Sequence, residues 1–82
     1  MRNILADDQP KVRLGLRLLL EQEEWASVVG EAVEAESLLA LAEVAQPDLV
    51  LLDWSLQASA AVDLLPALRT HCPSLTVIVL SG

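Results

Sequence analysis

Eighty-two residues allow one small domain, and a hydrophobic content of 54% is enough to build a core and excludes a disordered chain. Twelve acids against five bases give a net charge of −7, which disfavours nucleic acid and anionic membrane surfaces and favours cations or basic protein surfaces. A single cysteine, Cys72, cannot close an internal disulfide, and no apolar run approaches the ~20 residues of a membrane span, so the expectation is a cytosolic chain with no membrane partner.

Short apolar runs alternate with longer stretches of Leu, Ala, Glu and Gln, the pattern of βα units. A first strand is expected over 3–6 ("NILA"), followed after "DDQP" by a helix that Asp8 can cap and whose first turn suits Pro10. Val12, Leu16, Leu19 and Leu20 form its core stripe, while Leu14 and Leu18 lie off that stripe and should be outside. A second strand spans 27–31 ("SVVGE"), and a second helix about 34–45 turns Leu38, Leu41, Ala42 and Ala45 inward. The third strand, 48–53 ("DLVLLD"), leads into a loop "WSLQASAAVD". A third helix starts near Asp63, packs Leu64, Leu65 and Leu68 inward, and ends before Pro73. The fourth strand is "LTVIVLS", 75–81. Trp25 is expected to close the first helix onto the second strand, and Trp54 to border whatever pocket lies beside Asp53.

Continuous apolar runs in the first, third and fourth strands imply burial on both faces, as in a parallel sheet covered by helices. If the second strand lies on one side of the first and the third on the other, the strand order is 2-1-3-4, and right-handed crossovers put the first helix on one face and the other two opposite. The strand order reverses between the first and third strands, and open α/β sheets place their ligands at the carboxyl side of such a point. Asp7 and Asp8 end the first strand and Asp53 ends the third, so three carboxylates converge there. Their mutual repulsion would be relieved by a hard divalent cation, magnesium being the natural choice, and an Asp carboxylate in that setting can attack phosphorus to form an acyl phosphate. Ser81, at the end of the neighbouring fourth strand, could hydrogen-bond a phosphoryl oxygen. Asp at strand ends and helix starts also serves turns and caps, so spacing alone leaves both readings open.

The stretches "ILADDQPKVRLGLRLLLE", "VVGEAVEAESLLALAEVAQPDLVLLD" and "CPSLTVIVLSG" together resemble the receiver domain of bacterial two-component response regulators. The resemblance covers the whole chain and implies a three-layer, flavodoxin-like, doubly wound α/β fold. It further implies Asp53 as phosphoacceptor, Asp8 as a direct magnesium ligand, Asp7 as an outer ligand through water, the backbone carbonyl of Ser55 as another ligand, and Ser81 as the switch hydroxyl. Its implied partners are a histidine kinase and an output domain of helix-turn-helix type outside this sequence, with no direct nucleic-acid contact by the receiver itself.

Two departures from the family pattern stand out. The Met-Pro-Gly that usually follows the phosphoacceptor is replaced by "WSLQASAAVD", without Pro or Gly, which puts the loop geometry in question. The final helices and the fifth strand with its lysine have no counterpart, and Lys11 cannot substitute from the first helix, so the chain reads as a truncated receiver, residues 1–82 forming its N-terminal part. The fourth strand becomes an apolar edge, and that edge or the first helix invites a homodimer or domain swap. The expected role is a signalling module rather than a conventional enzyme. The rivals are a pseudo-receiver that only binds partners and a small hydrolase with an aspartyl nucleophile. Against the hydrolase, Ser55 stands where such enzymes commonly carry a second acid.

Overall fold

In the computed structural model, which describes residues 1–81, the chain order is β1 (Arg2–Ala6), α1 (Pro10–Glu21), β2 (Ser27–Ala32), α2 (Ala35–Ala45), β3 (Leu49–Asp53), α3 (Trp54–Ser59), α4 (Leu64–His71) and β4 (Thr76–Leu80). Gly82, second half of the Ser-Gly pair, lies outside the described residues. The four strands form one parallel sheet in the order β2-β1-β3-β4, the expected doubly wound, flavodoxin-like arrangement. Ala6 pairs with Leu52 and Asp53 pairs with Leu80, so the residues that end β1, β3 and β4 stand side by side.

The main core lies on one face of this sheet. Ile4, Ala6, Ala32, Val50 and Leu52 meet Leu38 and Ala42 of α2, Leu56 of α3, and Leu64 and Leu68 of α4. Gly30 lets α2 approach closely, since a Cβ there would fall 2.6 Å from Leu41 Cδ2. Helix α2 ends at Gln46, the one non-glycine residue with positive φ among those described. Pro47 bars Gln46 from the α region, and its left-handed conformation (φ 47°) turns the chain toward β3. The Arg2 guanidinium then caps α2 by donating to the Ala45 carbonyl at 3.1 and 2.6 Å.

Helix α1 covers the other face over β1 and β2, and it is held differently. It has no buried residue, and its inward stripe consists of the half-buried Arg13, Leu16, Arg17 and Leu20. Glu31 of β2 accepts from Arg13 Nε at 3.1 Å and from Arg17 Nη1 at 2.7 Å, so ion pairs do part of the fastening. Leu14 and Leu18 are outside as expected.

Five expectations need correction. The chain has four helices among its described residues, because α3 begins directly after Asp53 where a loop was expected. Val12 and Leu19 are exposed rather than core, since one helix over two strands leaves the flanks of its stripe uncovered. Leu65 is also open, beside a shallow groove lined by Trp54, Gln57, Asp63 and Val79. Strand β4 is not buried on both faces, for Ile78 and Val79 are 45% and 43% exposed. Trp25 stands at the surface, 54% exposed, and does not close α1 onto β2.

Cys72 follows α4, is buried, and its thiol faces the Ala42 carbonyl. Burial pushes the thiol pKa up, so at any given pH less of the reactive thiolate is present than in an unfolded chain. Alkylation of native protein at neutral pH should therefore be at least tenfold slower than in denaturant, measured by mass spectrometry with iodoacetamide. Equal rates would show that Cys72 is not a packing residue.

Candidate functional site

The carboxyl ends of β1 and β3 carry the acids. Asp7 continues β1 past Ala6, and its amide donates to the Ala32 carbonyl at 3.0 Å, extending the β1–β2 ladder by one residue. Its side chain is buried, with 4% exposure, and Oδ1 accepts from the Gln9 amide at 2.8 Å, which turns the chain into α1. Asp8 is exposed and does not cap α1. The cap residue is Gln9, with no side-chain cap bond, which corrects the expectation for Asp8.

Asp7, Asp8 and Asp53 each place one carboxylate oxygen so that all three lie within 4.8 Å of one another. Three like charges at that spacing repel by about 1 kcal/mol per pair even at the dielectric of water. A set of hard anionic oxygens from two strand ends, one buried, one half-buried and one exposed, suits a cation that keeps part of its hydration. The acidic cluster could therefore hold a metal ion.

Whether Asp53 is only a turn residue can be judged against its neighbours. Asp63 heads α4 and its Oδ1 accepts from the Leu65 amide at 3.2 Å, an ordinary N-cap. Asp48 heads β3 and its Oδ2 accepts from the Arg2 amide at 2.7 Å, fixing the strand entry. Asp53 stands at the N-cap of α3 yet makes no cap bond to the helix. Its one side-chain partner is the Ser55 hydroxyl, which donates to Oδ2. The structural duties fall to Asp48 and Asp63, and Asp53 is left facing Asp7 and Asp8.

Comparison with known proteins decides the family. The family model described as the response regulator receiver domain matches residues 4–82. The chain belongs to the response regulator receiver family. The transcriptional regulatory protein RcsB of Escherichia coli (strain K12) is 34% identical over 84 residues, an alignment covering 99% of this chain and 39% of that protein. An uncharacterized transcriptional regulatory protein, YxjL of Bacillus subtilis (strain 168), is 30% identical over 81 residues, covering 99% of this chain and 37% of the relative. Among solved structures, the isolated receiver domain of RcsB from Salmonella enterica serovar Typhimurium, with the phosphomimetic BeF3−, superposes with a TM-score of 0.86 at 36% identity, over 99% of this chain and 61% of that one. The response regulator domain of Thermotoga maritima CheB reaches the same TM-score of 0.86 at 21% identity, covering 99% of this chain and 60% of that one, which speaks to the fold alone. The chain thus spans less than two fifths of the curated relatives it matches.

The receiver places the sequence-expected residues unevenly. Asp7, Asp8 and Asp53 are brought together. Ser81 follows Leu80, the pairing partner of Asp53, and is exposed at the same sheet end. Ser55, whose carbonyl was an expected metal ligand, lies inside α3, and its hydroxyl donates to Asp53. Trp54 borders the site, 56% exposed, next to Asp53. Two contributions escaped the sequence reading. One is the Ser55 hydroxyl, for which the Asp-x-Ser spacing was the available signal. The other is Arg13, whose Nη1 donates to the Asp7 carbonyl at 2.7 Å and carried no sequence signal.

If repulsion dominates the cluster, Asp53→Asn should raise the metal-free melting temperature by several degrees or more, in keeping with ~2 kcal/mol of relief from the two pairs it forms. It should also lose most of the stabilisation that a millimolar divalent cation gives the parent chain. Both effects are read by calorimetric melting, and an unchanged response to the cation would remove Asp53 from the cluster.

Proposed function

We propose that the chain accepts a phosphoryl group onto Asp53 from a phosphohistidine of a partner kinase, as the input module of a two-component regulator. The observation that carries this is Asp53 itself, a strand-end carboxylate with no capping duty, facing two further acids in a family built for this reaction. In the step, an Asp53 carboxylate oxygen attacks phosphorus, a P–O bond forms as the P–N bond to the imidazole breaks, and the imidazole nitrogen leaves with the bonding electron pair. Asp7, Asp8 and Asp53 are the residues that would hold Mg2+, while the Ser55 carbonyl, expected as a further ligand, belongs to α3 and points along that helix away from Asp53. When bound, Mg2+ would offset the negative charge of the carboxylates and of the incoming phosphoryl oxygens.

Ser81 is the group that would donate to a phosphoryl oxygen and report phosphorylation along β4. An output domain of helix-turn-helix type, outside this sequence, is the recipient of that signal, and RcsB has been solved bound to promoter DNA. A cytosolic site of action fits this reading.

Treatment with a small phosphodonor such as acetyl phosphate and Mg2+ should add one phosphoryl group, labile to hydroxylamine, by mass spectrometry. The adduct should be absent in Asp53→Asn, and beryllofluoride should change Trp54 fluorescence in the parent only. An unmodified parent chain would favour the binding-only pseudo-receiver.

A self-association reading rests on a separate observation. Strand β4 pairs only with β3, and its outer edge, "TVIVL", carries no charge, which is a template for pairing with another chain. The 82-residue chain should sediment as a dimer or larger at tens of micromolar, and Ile78→Lys should shift it toward monomer. A monodisperse monomer for the parent would overturn this reading.

A further inference from the structure

The Asp53 carboxylate has a partner that phosphoryl acceptance does not require. Ser55 stands two residues on, in the first turn of α3, and its hydroxyl donates to Asp53 Oδ2. No backbone amide of α3 reaches that side chain, so the hydroxyl faces no competition from the helix for it. A hydroxyl bonded to an ionised carboxylate makes a charge-assisted bond, stronger than one between neutral groups. It also fixes the plane of the carboxylate and draws on the same negative charge that a cation would use.

We infer that Ser55 is a positioning residue whose hydroxyl restrains Asp53 and weakens its hold on a cation in the resting chain. This rests on the proposed role of Asp53 and deepens it. Metal binding at the cluster draws on a carboxylate whose Oδ2 already accepts from Ser55, whereas Asp7 and Asp8 face no comparable hydroxyl among the described residues. A purely structural Ser55 predicts something else. Its exposed position within α3 should accept Ala, a better helix former, with no change at the cluster.

The two roles separate in a magnesium titration of the full chain followed by amide NMR shifts of residues 7–9 and 53–56. Ser55→Ala should bind Mg2+ about three- to tenfold more tightly than the parent, the scale of one hydrogen bond to a charged group offset by rehydration. Ser55→Thr, which keeps the hydroxyl, should match the parent, and circular dichroism should show all three equally folded. Equal or weaker binding by Ser55→Ala, with the parent still binding, would overturn this inference while leaving the role of Asp53 intact. Absence of binding in all three would overturn both.

Discussion

The pairing of β1 with β3, strands brought together from opposite halves of the chain, is the constraint on which everything else depends. Ala6 lies beside Leu52, and only because of that do Asp7 and Asp53 emerge next to each other. The entry to this pairing is fastened at its other end. The Arg2 amide donates to Asp48 Oδ2 at 2.7 Å and the Asp48 amide to the Arg2 carbonyl at 2.8 Å, so the two strands start in a fixed register. A slip by one residue would turn Val50 and Leu52 away from the core and carry Asp53 out of line with Asp7. Parallel pairing also demands a long crossover, and α1, β2 and α2 supply it. The site is therefore a consequence of register rather than of any local motif.

The two faces of the sheet do different work. Apolar packing is concentrated under α2, α3 and α4, where Leu38, Leu52, Leu64 and Leu68 are fully buried. The α1 face relies on Leu16 and Leu20 together with the Glu31 ion pairs, whose side chains are 17% to 38% exposed. Partly solvated pairs of this kind contribute roughly 0–1 kcal/mol each, far less than a buried leucine. Helix α1 is thus the more weakly held element, yet it reaches the site through Arg13, which donates to the Asp7 carbonyl. Asp7 is anchored on one side by the sheet and on the other by a helix with a looser grip.

Most of the fold was legible because its signal is long-range in pattern but simple in kind. Apolar runs of three and four residues announced β1 and β3, and placing the second and third strands on opposite sides of the first led to the observed order, with right-handed crossovers assigning the helices to faces. Expectations failed where burial depends on what lies opposite. Val12 and Leu19 have the right spacing for a core stripe, but a single helix over β1 and β2 covers only its midline. Ile78 and Val79 read as buried because apolar β-branched runs usually are, yet β4 is a sheet edge, paired on one side only and partly open on both faces. The six residues of α3 are fewer than two turns, too short for periodicity to separate helix from loop. At the site, strand-end position revealed the three acids, whereas Arg13 and the Ser55 hydroxyl depend on side-chain direction, which sequence does not carry.

The stretch after Asp53 shows how a departure from family pattern can be absorbed. A glycine is needed where the backbone takes positive φ, and none of the residues from Trp54 to Ser59 does so. Asp53 itself sits at φ −69°, ψ 134°, an ordinary extended conformation leading into α3. The missing Pro and Gly therefore impose no strain on the Asp53 backbone, because a helical turn has taken the place of the special loop. What differs instead is the side chain that this turn presents. Asp53 is the N-cap and Ser55 the second residue of α3, and the Ser55 hydroxyl donates to the Asp53 carboxylate. Backbone convention is exchanged for a side-chain contact, the Ser55 hydroxyl supplied by α3 to the Asp53 carboxylate.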